Sequence, residues 1–252
     1  MTKNNYELSK SDLLKLRKFN TPAVYNGWEQ ITDHDVAIGS TNITDVKDHM
    51  PELGPMVGYA VTVVIEPSNE SHKANKAKAV NEYRRYMASM PGPKIVVTQD
   101  KDHNPVGSFW GEVNANIHKS LGCVGTIVDG AVRDIDEMGE FGFKALSKRL
   151  CVGHAHVTPI DWNCEVEVFG CKVKPGQLIH ADKHGFLVIP KEDEPRLLES
   201  TQFMDNNELD TVIPSGWNTW GLTQEDIVNQ LEAGAKKFGE NVRQKFKREG
   251  EW

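Results

Sequence analysis

The 252-residue sequence contains no apolar run long enough to cross a bilayer, and Met1–Glu7 lacks the apolar core of a signal peptide. Cysteine is scarce, and no Cys-x-x-Cys pair occurs among the four: Cys123, Cys151, Cys164 and Cys171. We therefore expect a cytoplasmic protein with reduced thiols and no association with membranes.

An excess of positive charge is also absent. The 29 lysines and arginines are outnumbered by 36 aspartates and glutamates, which gives a net charge of −7. This balance argues against nucleic acid as the main partner, because phosphate binding needs a basic face. It does not exclude a small acidic substrate, since one arginine and a bound cation can supply the local field.

The sequence has no internal repeat and no low-complexity tract. Leu13, Leu14, Leu16 and Phe19 predict an amphipathic helix, and Val57 to Ile65 predicts a largely β-branched strand. Helices and strands mix without strict βαβ alternation, which favours a layered α/β sandwich over a barrel.

One stretch, residues 111–134, combines residues suited to binding chemistry. Gly111 allows close approach of the backbone to a ligand, and the N–H groups after it begin a predicted helix that ends at Gly122. Free N–H groups and the positive end of the helix dipole favour a carboxylate or phosphate there.

A strand and two charged residues complete this stretch. Val124 to Val128 predicts a covered strand, and Asp129-Gly130 predicts a turn that delivers Arg133 beside Asp134. Arginine offers a planar fork for a carboxylate, and aspartate offers hard oxygen for Mg²⁺ or Mn²⁺. The unit could therefore hold an acidic substrate and a metal side by side.

The sequence resembles the ribonuclease-regulator-A-like family, which includes 4-hydroxy-4-methyl-2-oxoglutarate aldolases and 4-carboxy-4-hydroxy-2-oxoadipate aldolases. The matching segments are Trp110-Gly-Glu-Val, Gly122-Cys-Val-Gly-Thr-Ile-Val-Asp-Gly-Ala-Val-Arg-Asp and Pro175-Gly-Gln-Leu-Ile-His-Ala-Asp-Lys-His-Gly-Phe-Leu-Val-Ile-Pro. The resemblance implies an α-β-β sandwich of the swivelling-domain type over residues 1–212. Residues 213–252 would form a C-terminal helical extension, with Thr223 capping a long helix.

The resemblance also implies the roles of individual residues. Arg133, Glu112 and Asp134 would be catalytic, with Asp134 binding the divalent metal. Gly111, Glu112, Val113, Asn114 and Arg133 would bind the substrate. An acid from an adjacent subunit of a homotrimer or dimer of trimers would complete the site, and the candidates are Glu208, Glu199 and Asp205.

The implied activity is a metal-dependent lyase of the class II pyruvate-aldolase type. Cleaving a 4-hydroxy-2-oxo acid leaves the enolate of pyruvate, which Mg²⁺ or Mn²⁺ would stabilise. Oxaloacetate decarboxylation would form the same enolate. The aldolase branch has an acid two residues after Arg-Asp, and Asp136-Glu137 satisfies that pattern here.

Two alternatives come from other classes of protein. One is a non-catalytic regulator that binds a protein such as a ribonuclease. The other is a zinc hydrolase, because His154 and His156 would face the same way on a strand. His180 and His184 have the spacing of a helical zinc pair, but the flanking residues predict a strand, a turn and a strand there.

Overall fold

The computed structural model describes residues 8–247, so the prediction that Met1–Glu7 is not a signal peptide falls on residues outside the described part of the chain. The described chain forms two compact units. The first consists of residues 8–21 and 35–192, and the second of residues 22–34 and 193–247. The predicted boundary after residue 212 stays a prediction; in the structure, residues 193–212 belong to the second unit.

The chain contains eight α-helices over the described residues. They are α1 Lys10–Leu16, α2 Thr21–Glu29, α3 Lys76–Ser89, α4 Glu112–Ser120, α5 Ile135–Glu140, α6 Glu194–Asp210, α7 Val212–Trp217 and α8 Gln224–Phe246. The strands are β1 Lys47–Asp48, β2 Met56–Ile65, β3 Lys94–Asp100, β4 Ser108–Trp110, β5 Cys123–Val132, β6 Lys144–Leu150, β7 Pro159–Trp162, β8 Val166–Val168, β9 Cys171–Val173, β10 Leu178–Asp182 and β11 Gly185–Ile189. Short 3₁₀ helices cover Pro51–Leu53 and Glu70–Asn75.

A mixed nine-stranded sheet forms the centre of the first unit. Its main order is β1-β6-β5-β3-β2-β10-β11, with β4 beside β5 and β7 beside β2. The strands β2, β3, β5 and β6 run parallel, whereas β10 pairs antiparallel with both β2 and β11. Strands β8 and β9 form a separate two-stranded ribbon.

The central strands are buried on both faces, since successive side chains of a strand point to opposite sides. In β2, Ala60 and Val64 pack into a core shared with the β8–β9 ribbon. Val61 and Val63 pack into a second core, which contains Tyr83 of α3 and other helical residues. One layer of helices and two layers of strands result, and the predicted α-β-β sandwich is confirmed.

The second unit is helical. Met204 of α6 packs with Phe238 and Val242 of α8 in its core. The predicted capping of α8 is present, because the Thr223 side chain accepts a hydrogen bond from the Asp226 backbone and Asp226 reciprocates. Within residues 8–247, the apolar length needed to traverse a bilayer is not reached by any helix. Cytoplasmic localisation stays a prediction.

Two local predictions are wrong. Asp129 and Gly130 do not form a turn but lie inside β5, where the pairing with β6 shifts register between Val128 and Ala131. The Asp129 carboxylate accepts a hydrogen bond from the Phe169 backbone, at 2.9 Å. In α1, Leu13 and Leu16 are buried as predicted, but Leu14 is 62% exposed.

A buried histidine joins the start of the chain to the sheet. His180 of β10 accepts from the Thr21 hydroxyl at Nδ1, at 2.9 Å, and donates from Nε2 to the Leu16 carbonyl, at 3.2 Å. In the neutral ring the proton on Nε2 leaves Nδ1 as the acceptor for the hydroxyl. Burial lowers the pKa of His180 from 6.5 to about 4.

The neutral state of His180 predicts acid sensitivity. Its pKa is lower in the folded chain, so the unfolded chain binds more protons below about pH 6.5. The quantity to measure is the free energy of unfolding of the wild type minus that of His180→Gln. We expect this difference to fall by about 2 kcal/mol when the pH is lowered from 7 to 5. Urea denaturation followed by tryptophan fluorescence measures it. An unchanged difference would show that His180 is not buried in the neutral form.

Candidate active site

Two neighbouring strand ends bring the central residues together. Strand β4 pairs in parallel with the end of β5, with Ser108 opposite Ala131 and Trp110 opposite Val132. The Arg133 backbone N–H donates to the Trp110 carbonyl at 3.2 Å. Residues 111 and 133, which follow the two strands, are therefore adjacent although 22 positions separate them.

Glycine is needed at position 111 because there is no room for a side chain, and not because of its backbone angles. Its φ of −172° is extended backbone that any residue adopts. A Cβ built there would lie 2.6 Å from Asp134 Oδ2 and 3.1 Å from Arg133 Nε. Any side chain at this position would therefore displace the two functional groups.

Asp134 presents a carboxylate at the start of two helices. Its backbone is left-handed, with a φ of 53°, and it precedes α5 without capping it through its side chain. The Glu112 backbone N–H donates to Asp134 Oδ2 at 3.1 Å, which orients the carboxylate towards the amino terminus of α4. Oδ1 accepts no hydrogen bond from residues 8–247, and the side chain is 35% exposed.

Arg133 is held on both sides and still reaches solvent. Its Nε lies 3.7 Å from Asp134 Oδ2, and its Nη1 donates to the Val152 carbonyl at 3.3 Å. The side chain is 37% exposed. A guanidinium anchored in this way can offer its remaining N–H groups to a carboxylate.

The other predicted substrate-binding residues form the first turn of α4. Glu112 and Val113 are exposed, whereas the Asn114 side chain donates to the Phe109 carbonyl at 2.8 Å. The Asn114 side chain therefore fixes the turn, and its role toward a ligand would be through its backbone N–H. N–H groups in a first helical turn lack partners within their helix.

Gly111, Val113, Asn114 and Arg133 line a cavity of about 340 Å³, whereas Glu112 and Asp134 are not among its described lining residues. Tyr83 and His118 form part of its wall and were not predicted as site residues. His118 donates from Nδ1 to the Asn114 carbonyl at 2.7 Å, and the Tyr83 hydroxyl donates to His118 Nε2 at 3.1 Å. Burial lowers the pKa of His118 to about 4, so this wall is uncharged at neutral pH.

The predicted zinc pair lacks the strand it depends on. His154 and His156 lie in a turn, and Ala155 between them has a φ of 45°. His154 Nδ1 lies 3.0 Å from the Ala155 carbonyl oxygen. No group of three or more His, Cys, Asp and Glu side chains suited to a metal occurs in the described part of the chain. His180 and His184 lie in a strand and in a turn, as predicted.

The three candidate partner-subunit acids lie on α6, in the second unit. Glu208 accepts a hydrogen bond from Asn26 Nδ2 at 2.9 Å, and Glu199 pairs with Lys245. Asp205 is half-buried. Their predicted role at a neighbouring site stays a prediction.

The residues present fit a magnesium ion better than zinc. Mg²⁺ is commonly held by one or two carboxylates, with substrate and water filling the other positions. Asp134 supplies one carboxylate with a free oxygen beside an arginine, which suits that arrangement. Zinc would require more nitrogen or sulfur ligands than this site offers.

The fold places the protein among layered α/β proteins with a mixed sheet. A sequence profile for RraA-like proteins, described as Aldolase/RraA, matches residues 21–188, and the chain belongs to this family. The resemblance found in the sequence is confirmed.

A relative from Halalkalibacterium halodurans bears the name "Putative 4-hydroxy-4-methyl-2-oxoglutarate aldolase". It is 30% identical over 169 residues, which cover 67% of this chain and 75% of that protein.

Two crystal structures share the fold. An uncharacterized protein from Pseudomonas syringae pv. tomato has a TM-score of 0.66 and 18% identity, covering 91% of this chain and 98% of that one. Streptomyces coelicolor RraAS2, described as an unusual member of the RNase ES inhibitor RraA family, has a TM-score of 0.62 and 17% identity, covering 81% and 96%.

The left-handed backbone of Asp134 predicts how substitutions there affect stability. Asparagine tolerates this conformation, whereas alanine is strained in it by about 1 kcal/mol. We expect Asp134→Asn to unfold within about 0.5 kcal/mol of the wild type and Asp134→Ala to be about 1 kcal/mol less stable. Urea denaturation of both variants measures this. Equal stabilities of the two variants would contradict the left-handed backbone at residue 134. Asp134→Asn would then be no better than Asp134→Ala as a variant for testing activity.

Proposed function

We propose that the protein is a divalent-metal-dependent lyase of the class II pyruvate-aldolase type. Its substrate would be a 4-hydroxy-2-oxo acid, with oxaloacetate decarboxylation as a side activity. The observation that carries this proposal is the packing of Arg133 and Asp134 against Gly111 at the start of α4. The name of the 30% identical relative supports it.

The pyruvyl carboxylate would be bound by charge and by backbone donors together. Arg133 supplies the cationic fork, and Val113 and Asn114 supply N–H groups in the first turn of α4. The helix dipole adds to the attraction. This binding fixes the orientation of the adjacent keto group, which lowers the entropic cost of reaction.

Asp134 would hold the cation, Mg²⁺ or Mn²⁺, through the oxygen that has no hydrogen bond. When bound, the cation supplies Lewis-acid stabilisation of negative charge on the 2-oxo group. Arg133 would compensate further charge on the carboxylate. The Glu112 backbone N–H keeps the Asp134 carboxylate in place through Oδ2.

The bond broken would be the one between C3 and C4. A base takes the proton of the C4 hydroxyl, C4 becomes a carbonyl carbon, and the electron pair moves to the pyruvyl fragment as its enolate. Protonation of the enolate at C3 then gives pyruvate. Glu112 is the proposed carboxylate for this proton, because it is exposed at the first position of α4 beside Asp134. In oxaloacetate, loss of CO₂ would leave the same enolate.

We expect metal-dependent release of pyruvate by the purified protein. EDTA would abolish it, and Mg²⁺ or Mn²⁺ would restore it. Asp134→Asn and Arg133→Lys would each lower kcat/KM about 100-fold, since the first removes the negative charge of the cation's ligand and the second removes the planar fork. A lactate-dehydrogenase-coupled assay with 4-hydroxy-4-methyl-2-oxoglutarate and oxaloacetate measures this.

Glu140→Gln is the matched control, because it removes one negative charge from the exposed last residue of α5, outside the Asp136-Glu137 pattern. It should keep activity within about twofold. Failure to release pyruvate from either substrate with Mg²⁺ or Mn²⁺ would reject the lyase. The family's other activity, regulation by binding a protein, would then become the leading hypothesis.

The site would be completed by oligomerisation. We expect a homotrimer or a dimer of trimers in which Glu208 of α6 reaches a neighbouring subunit's site. In a cyclic trimer each subunit contacts its two neighbours through two different surfaces. Helix α6 of one subunit can therefore face the site of the next subunit.

Mixing two inactive variants tests this arrangement. Arg133→Ala and Glu208→Gln should each be inactive alone. Mixed trimers formed by refolding them together should regain about one quarter of the wild-type activity, because some sites receive both native residues. Activity of Glu208→Gln alone would exclude Glu208, and Glu199→Gln and Asp205→Asn would then be compared in the same assay.

A further inference from the structure

A second and larger cavity lies in the first unit, at the other end of the sheet. Its volume is about 840 Å³, and it is formed by α1 and by the amino ends of β2, β3, β5 and β6. Val124 of β5 lines it, whereas Arg133 follows the last residue of the same strand. At 3.3 Å per residue, the two positions are about 30 Å apart.

All of the charged side chains that line this cavity are positive. Its charged lining residues are Lys10, Arg17, Lys94, Lys119 and Lys144, without an aspartate or glutamate among the described lining residues. Lys144 is neutralised by Asp48, with Nζ 2.5 Å from Oδ2. None of the other four cations has a carboxylate oxygen within 4.0 Å among residues 8–247.

Three of these four cations are oriented by backbone carbonyl groups. Lys94 donates from Nζ to the carbonyls of Met87, at 2.7 Å, and Leu121, at 2.6 Å. Arg17 donates from Nε to the Pro55 carbonyl at 2.8 Å, and Lys119 donates to Gly142 at 3.3 Å. Carbonyl dipoles orient a cation, but they do not cancel its charge.

Lys94 is the most deeply buried of these four cations. The residue is only 4% exposed, and burial lowers its pKa. A buried ammonium group is costly unless a counter-charge accompanies it. An anion in the cavity would supply that counter-charge, and it would use the third N–H of Lys94.

The remaining lining is apolar. Leu14 of α1 is 62% exposed, although Leu13 and Leu16 of the same helix are buried. Pro91, Pro93 and Leu121 also line the cavity. An apolar body packed against these residues and Leu14 would remove the exposed leucine from water.

We propose that this cavity binds an organic anion that carries an apolar body, such as an alkyl or aromatic phosphate or carboxylate. Unpaired cations beside an exposed leucine match both parts of such a molecule. Inorganic phosphate alone would use the cations but leave the apolar lining in water. The site is separate from the proposed lyase site and does not depend on it.

Fluorescence titration with anilinonaphthalene sulfonate tests the proposal on the full-length protein. This probe combines an aromatic body with an acidic group. We expect one saturable site per chain, with decyl phosphate and decanoate displacing the probe. Their relative potency distinguishes phosphate from carboxylate ligands, and octyl glucoside, which is uncharged, should not compete.

Exposed residues give variants that should fold. Lys10→Gln combined with Lys119→Gln, and separately Leu14→Ser, should each weaken probe binding about tenfold. Lys15→Gln is the matched control, because it lies on the same helix outside the cavity lining and should bind normally. Arg133→Lys should also bind normally.

Four results would overturn the proposal. They are the absence of a saturable site, equal affinity in all variants, competition by octyl glucoside equal to that by decyl phosphate, and full displacement by inorganic phosphate at the same concentration as decyl phosphate. Circular dichroism confirms that each variant is folded before it is compared.

Discussion

The pairing of a three-residue strand with the end of a long one is the interaction on which the rest of the site depends. When β4 lies beside the last residues of β5, the Arg133 backbone bonds to the Trp110 carbonyl. As a result, Gly111 lies next to the side chains of Arg133 and Asp134, and the first N–H group of α4 bonds to the Asp134 carboxylate. The proposed chemistry requires this neighbourhood, because charge binding, cation binding and backbone donation must act on one small molecule.

The burial of the sheet on both faces explains why these strand ends are fixed. Alternate residues of β2, β3, β5 and β6 enter two different cores, so a shift by one residue would exchange the two faces. Neutral histidines contribute to the same rigidity. His118 joins α3 to α4 behind the candidate site, and His180 ties β10 to the start of the chain.

The sequence predicted the elements that depend on local pattern and missed the features that depend on distant partners. The strand from Val57 and the helix cap at Thr223 were predicted because periodicity and capping are local signals. Asp-Gly usually marks a turn, but Asp129 finds a distant partner in the Phe169 backbone, and a side chain on Gly130 would collide with Asp100. The site walls from Tyr83 and His118 had no local signal beyond an ordinary amphipathic helix.

Folding and chemistry make separate demands at residue 111. Because its backbone is extended, alanine there would satisfy every conformational requirement of the polypeptide while colliding with both charged groups. A single-base change from a glycine to an alanine codon could thus displace the two charged groups of the site while the fold is retained. Proteins that share this fold could therefore differ at this one position in whether the two charged groups are correctly placed, so a common fold does not by itself imply a common activity.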